Sequence, residues 1–193
     1  MGDINQSLYI KKFFPEIEGP VLEIGSKDYG NTNTYRDISK GIYIGLDMEE
    51  GDGVDLVQDL TKGIGELEEG YFNFIVCCSV LEHTPKPWLM AQNIERLLKP
   101  GGTLFISVPW VWRYHSYPDD YFRYSKAGIE SLFERLVFTN AHYASLVPGE
   151  IISIDEYPEA DNMMHLMKDI GDGYQRKYLP YLSVNMIGTM DSI

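Results

Sequence analysis

FNFIVCCSVLEHTPKPWLMAQNIERLLKPGGTLFISVP, residues 72–109, decides how the chain folds. The apolar run from Phe72 to Cys78 reads as a buried strand. Met90, Ile94, Leu97 and Leu98 then recur at helical spacing, so one face of the intervening segment is apolar and forms an amphipathic helix. Pro100-Gly101-Gly102 ends that helix, because proline cannot continue it and glycine accepts turn dihedrals. TLFISV follows at once as a second strand. A strand, a crossover helix and another strand make a parallel pair with a right-handed connection.

The same rhythm extends upstream. VLEIG at 21–25 is a short apolar run closing on glycine, IYIGLD at 42–47 closes on an acid, and VDLVQDL at 54–60 is a weaker third run. The first residues read as a short helix with Ile10, Phe13 and Phe14 on one face, ended near Pro15. Downstream, Ser125 is placed to cap a helix whose apolar face is Ile129, Leu132, Phe133 and Leu136. VFTNAHYASL at 137–146 reads as a sixth strand and PYLSVNMIGTM at 180–190 as a seventh, with a helix over 162–168 between them. The expectation is one α/β domain over 1–193, with an N-terminal helical segment at 1–19. Its open, mostly parallel sheet has about seven strands, helices on both faces and an antiparallel last strand.

Composition narrows the function classes. With 193 residues, 44% hydrophobic and 23% charged, the chain can bury one core. The formal net charge of −13 and pI near 4.6 speak against an extended nucleic-acid surface, which needs clustered Lys and Arg. No apolar stretch approaches the roughly 20 residues of a membrane span, and the N-terminus does not read as a secretory signal. Cys77 and Cys78 are adjacent and point to opposite faces of a strand, which suits a reducing, cytoplasmic setting. No metal-ligand spacing is present, so no metal is expected.

In an open parallel sheet, ligands bind beyond the carboxyl ends of the strands. Those ends carry Glu23-Ile24-Gly25-Ser26, then Asp47, Asp59 and Cys78-Ser79. Gly25 lets backbone approach a ligand closely. Asp47 follows it by about 20 residues, a spacing suited to accepting two ribose hydroxyls. Asp59 could accept from an adenine amino group.

VLEIGS, IGLDMEEGDGVDLVQDL and the stretch 72–109, in that order, resemble the class I S-adenosylmethionine-dependent methyltransferases, and most closely their small-molecule branch. The likeness covers roughly residues 20–136 and implies a Rossmann-like sheet. It implies S-adenosyl-L-methionine as cofactor, with Glu23 and Gly25 at its methionine end, Ser26 as a further cofactor contact and Asp47 on the ribose. Met48 would lie on the adenine face, Asp59 and the Leu60 backbone would read the adenine edge, and Cys78 and Ser79 would give backbone contacts to the methionine portion. Three acids suit a ligand that carries a sulfonium and an ammonium. Three positions depart from the family pattern. Lys27 and Tyr29 stand where glycines are usual, and Asn73 stands where Asp is common.

The activity implied is in-line methyl transfer to a small-molecule acceptor, which needs alignment and exclusion of water, and a base only if the acceptor loses a proton. Residues 109–124 read as a lid or substrate insert, with Trp110, Arg113, His115, Tyr121 and Arg123 as substrate contacts; the alternative is a packed loop in which Asp119 or Asp120 pairs with Arg123. His83 and His115 are the candidate general bases. Two rival readings stay open: a non-catalytic scaffold that keeps the fold, and a nicotinamide-dependent oxidoreductase, although the G-x-G-x-x-G spacing is absent after Gly25. A homodimer is also compatible with the aromatic surface.

Overall fold

The computed structural model describes residues 4–30, 35–116, 118–154, 168–169, 177–178 and 181–192. Helix α1 (Ile4–Phe13) leads into β1 (Val21–Ile24), β2 (Tyr43–Asp47) and β3 (Leu56–Val57). Then come β4 (Phe72–Cys78), α2 (Pro87–Leu97), β5 (Leu98–Val111), α3 (Lys126–Glu130) and β6 (Leu136–Ala144). Short strands β7 (Ile151–Ser153), β8 (Lys168–Asp169) and β9 (Lys177–Tyr178) precede the long β10 (Leu182–Met190). The main sheet runs β3-β2-β1-β4-β5-β10-β6-β7, with β8 and β9 forming a separate hairpin. β1 to β5 pair in parallel, and β10 inserts antiparallel between β5 and β6. The sheet is thus mostly parallel, with an antiparallel terminal strand and helices on both faces. β7 adds an eighth strand that the hydrophobic pattern did not single out.

The two-residue period of the strands sorts the core into two layers. Leu22, Ile24, Ile75, Cys77, Leu104, Ile106 and Val108 pack with Ile94 and Leu97 of α2 and Ile129 of α3. Val21, Phe74, Val76 and Phe105 pack the other way, against Tyr9 and Ile10 of α1 and against Tyr35 and Ile38. Strands buried on both faces must be apolar almost throughout, which is why they are so visible in the sequence.

The differences are local. α2 ends at Leu97, ahead of the Pro-Gly-Gly turn, and Leu98 already pairs with Phe72. α3 keeps its cap, Gly128 N donating to Ser125 Oγ at 3.1 Å, but stops at Glu130 so that Leu136 opens β6. The crossover between β1 and β2 contains a single described 3-10 turn, Arg36–Ile38, where the apolar stripe is poor. The expected helix over 162–168 lies outside the described residues except for Lys168, which is in β8. Among the described residues no helix is long and apolar enough to cross a membrane.

Candidate active site

The chain leaves β1 outward to β2 and β3, then returns to β4 on the other side of β1. A crevice at the carboxyl ends of β1 and β4 follows from that reversal. Its floor is backbone. Gly25 has φ of 76°, and its N–H and that of Ser26 both donate to the Leu46 carbonyl, at 2.8 and 3.1 Å. A methyl group on Gly25 would lie 2.4 Å from Val80 Cγ2, so glycine is needed for both the dihedral and the approach of the two strand ends. Across the crevice Ser79 has φ of 55°, the one non-glycine residue with positive φ among those described. Such a conformation persists only where its surroundings hold it. Ser79 N donates to the Ser107 carbonyl at 2.8 Å, and Ser79 Oγ accepts from Gln6 Nε2 at 2.9 Å.

Gln6 comes from α1, and it also reaches Ser107 Oγ at 3.0 Å. Its neighbour Asn5 donates to the carbonyls of Ser145 and Val147 at 2.6 and 2.9 Å and accepts from Gly149 N. The N-terminal helix therefore fastens the far ends of β4, β5 and β6 with two buried amides. The hydrophobic pattern alone does not reveal this role. The available signal was a pair of amides one turn ahead of the buried Tyr9 and Ile10.

Each acid has a distinct setting. Asp47 is buried at the end of β2, where its oxygens accept from Lys27 N at 3.3 Å and Glu49 N at 3.2 Å. Met48 beside it is 55% exposed. Burial alone would raise the Asp59 pKa. Hydrogen bonds from Thr61 N at 2.9 Å and Thr61 Oγ1 at 2.6 Å, with the Lys62 ammonium at 3.1 Å, instead hold it below the usual carboxylate range. Leu60 is buried, and its carbonyl accepts from Asn93 Nδ2 at 2.7 Å.

Glu23 points to the α1 side of the sheet and accepts from the Tyr43 hydroxyl. Burial pushes its carboxyl up to about 7; Tyr43 and Arg36 oppose this and Asp55 reinforces it. Burial likewise raises the Cys78 thiol, which shares a hydrogen bond with Tyr35. Ser26 Oγ is buried with no hydrogen-bond partner among the described residues. Lys27 turns back to Glu49, with Nζ 2.8 Å from its carboxylate and 5.4 Å from the Tyr29 ring centre. Asn73 sits at the opposite end of the sheet, where Nδ2 donates to the Glu18 carbonyl at 3.0 Å. Aspartate could not make that bond.

The segment after β5 folds back onto the turn Leu81–His83. Its first residues, Pro109 to Val111, still belong to β5. Tyr121 N and Phe122 N both donate to the Glu82 carbonyl, at 2.7 and 3.3 Å, and Tyr124 Oη donates to the Leu81 carbonyl at 3.0 Å. Arg123 is held by both oxygens of the buried Asp120 carboxylate and by the carbonyls of Trp112 and Arg113. That guanidinium braces the segment, as the packed-loop alternative supposed. It keeps the Asp120 carboxyl well below its ordinary range, with further lowering from His115. His115 Nδ1 lies 3.1 Å from Asp120 Oδ2, and the His115 ring meets His83 edge to face at 4.8 Å. His83 Nδ1 is 2.6 Å from the Asp119 carbonyl, and burial lowers its pKa. Glu82 is fully buried; burial pushes its carboxyl up to about 8, although Arg123 acts against it. Trp110 stacks on Tyr143 at 5.1 Å, Arg113 lies over the Trp112 ring, and Tyr121 is exposed. The two expected histidines are thus together, whereas Arg123 is committed to Asp120.

This sheet order, with the crevice between β1 and β4 and the acid at the end of β2, is that of the class I S-adenosylmethionine-dependent methyltransferase fold. The chain belongs to the family described as "Methyltransferase domain", whose model matches residues 9–171. Among curated proteins it is similar to the ubiquinone biosynthesis O-methyltransferase of Pectobacterium atrosepticum. Identity is 35% over 60 residues, which is 31% of this chain and 25% of that protein. The match thus spans a quarter of the relative's length. Among solved structures it is similar to the 1,6-didemethyltoxoflavin-N1-methyltransferase of Burkholderia thailandensis, solved with 1,6-didemethyltoxoflavin and S-adenosylhomocysteine. The TM-score is 0.62 at 13% identity, covering 97% of this chain and 77% of that one. A phosphoethanolamine N-methyltransferase 2 of Haemonchus contortus, in complex with S-adenosyl-L-methionine, gives 0.61 at 18% identity, covering 97% and 52%.

Proposed function

We propose that the chain transfers a methyl group from S-adenosyl-L-methionine to a small-molecule acceptor at the β1–β4 crevice. The observation that carries this reading is the pair of positive-φ turns that follow the paired strands β1 and β4, at Gly25 and Ser79, with buried Asp47 at the neighbouring strand end. The residues present fit the cofactor. Gly25 admits close backbone approach, Ser26 Oγ is a buried hydroxyl lacking a partner among the described residues, and Glu23, Asp47 and Asp59 favour a ligand with cationic groups. When bound, the cofactor would supply an activated sulfonium methyl.

Asp47 would accept the ribose hydroxyls through the lone pairs that Lys27 N and Glu49 N leave open, with Met48 against the adenine. Asp59 and Leu60 would read the adenine edge, and Glu23, Gly25, Ser26, Cys78 and Ser79 would line the methionine end. Residues 109–124 would cover the crevice and exclude water, with Trp110, Arg113, His115 and Tyr121 toward the acceptor. His83 and His115 would be the candidate groups for moving a proton. Arg123 would act by positioning this segment. The unpaired Cys77 and Cys78 support a reducing, cytoplasmic setting, and exposed Leu146 and Val147 near the β7 edge are compatible with a homodimer.

Calorimetric titration with S-adenosylmethionine, S-adenosylhomocysteine and NAD tests this reading, with Asp47→Ala alongside. Micromolar binding of the adenosyl ligands alone is expected, weakened by about 1–3 kcal/mol in D47A through loss of charge-assisted hydrogen bonds. Absence of adenosyl binding would remove the proposal. The scaffold reading has one observation in its favour: Lys27 and Tyr29 pack on each other at the turn where glycines are usual. Under it, K27G/Y29G would gain adenosyl binding that the natural chain lacks.

A further inference from the structure

We infer that Glu82, His83 and His115 form a binding site for a divalent transition-metal ion. Their ligating atoms all lie within 4.8 Å of one another, although His115 arrives from a segment remote in sequence. Side-chain rotation can close that spacing to the roughly 3.3 Å that separates ligands about 2.0–2.2 Å from a tetrahedral ion.

The hydrogen-bond pattern supports a cation. A carbonyl oxygen only accepts, so His83 Nδ1, 2.6 Å from the Asp119 carbonyl, carries the ring proton. The Asp120 carboxylate, paired with Arg123, plays the same part for His115 Nδ1. Both rings are therefore oriented through Nδ1, and both Nε2 atoms keep a lone pair. Carbonyl and carboxylate partners of this kind are what metal-bound histidines use to fix ring and tautomer.

A second observation concerns Glu82. Its side chain is 1% exposed, Oε1 lies 3.9 Å from His83 Nε2, and Oε2 is buried with no hydrogen-bond partner among the described residues. A buried carboxyl oxygen with no hydrogen-bond partner is costly, and an ion bound between it and two imidazoles removes the deficit. Two imidazoles and one carboxylate suit Zn²⁺, Co²⁺, Fe²⁺ or Mn²⁺ better than Mg²⁺ or Ca²⁺, which favour all-oxygen shells. Three protein ligands leave a fourth position for water or for an oxygen of the acceptor. The backbone bonds from Tyr121 and Phe122 to Glu82 then make segment 109–124 the element that completes the site.

The test uses the full chain, treated with chelator and titrated with Co²⁺, whose visible absorption reports its coordination. Zn²⁺ competes, and Mg²⁺ serves as control. The expected result is saturation at one Co²⁺ per chain, displacement by Zn²⁺ and no displacement by Mg²⁺. Affinity should fall at least about tenfold in His115→Ala, whose side chain is 33% exposed, and in the near-isosteric Glu82→Gln. No saturable Co²⁺ binding, or equal affinity in both variants and the parent, overturns the site. Adenosyl titration of the same samples keeps the two proposals apart. Co²⁺ binding without adenosyl binding removes the methyl-transfer reading alone, and the reverse removes the metal site alone.

Discussion

The two sides of the crevice are built by different means. On the β1–β2 side, neighbouring backbone does most of the work: Gly25 and Ser26 share the Leu46 carbonyl, and Asp47 accepts from Lys27 N and Glu49 N. On the β4–β5 side, side chains from distant segments converge, with His83 meeting Asp119 and His115, and Gln6 reaching Ser79 and Ser107. The first side inherits its geometry from the sheet and moves only if strands move. The second depends on one folded-back segment braced by Arg123 and Asp120. Substitutions should therefore damage the two sides separately.

The largest effect is expected at Gly25. Valine there would meet Val80 Cγ2 and would have to adopt φ of 76°, so G25V should lose about 3–5 kcal/mol of stability and push β1 and β4 apart. Denaturant midpoints and adenosyl titration measure both consequences. A normally stable G25V would mean that the strand ends are not in close contact.

The converse substitution, Arg123→Ala, removes the brace of the other side. It should lower stability by about 1–2 kcal/mol, since the Asp120 carboxylate is left buried without its partner while Arg123 itself is partly exposed. Hydrogen exchange should rise over 112–124 and adenosyl affinity should stay within a factor of about two. A large loss of adenosyl binding in R123A would show that the two sides are coupled.

That division also explains what the sequence made legible. β1, β2, β4, α2 and β5 are visible because burial on both faces or one stripe fixes their composition, and their ends follow with them. Asp47 and Gly25 are readable for the same reason. Gln6 and Glu82 leave no periodic trace, because each matters through partners far along the chain. His83 and His115 were singled out for proton chemistry, but their juxtaposition depends on how residues 112–124 fold back. α3 and β7 were misjudged or missed because short elements carry too few positions for a period to register.

Glu23 gives a pH-dependent way to sharpen the comparison. Its carboxyl titrates near 7 in the folded chain and at about 4.3 when unfolded. The folded state thus binds more protons between those values, and its contribution to stability is present below about pH 4 and lost as pH rises through 7. Glu23→Gln should flatten that decline, by about 3 kcal/mol between pH 4 and 8. A cationic ligand beside Glu23 would also lower its pKa, so adenosyl binding near pH 7 should release a proton in the parent and not in E23Q. Calorimetry in buffers of different ionisation enthalpy reads this directly. Equal proton release in both would place the cationic groups away from Glu23.

The smallest effect is expected at Asn73, which departs from the family pattern without touching either side of the crevice. Its amide ties the start of β4 to the loop before β1, at the amino ends of the strands, by donating to the Glu18 carbonyl. Asn73→Asp would replace that donor with an acceptor facing a carbonyl oxygen, in a chain that already carries a net charge of −13. A loss of about 1 kcal/mol is expected from the hydrogen bond. Adenosyl affinity should be unchanged, because the crevice lies at the opposite strand ends. If N73D instead weakened binding, this end of β4 would be coupled to the site along the strand, and the substitution would matter to function as well as to the fastening of the sheet.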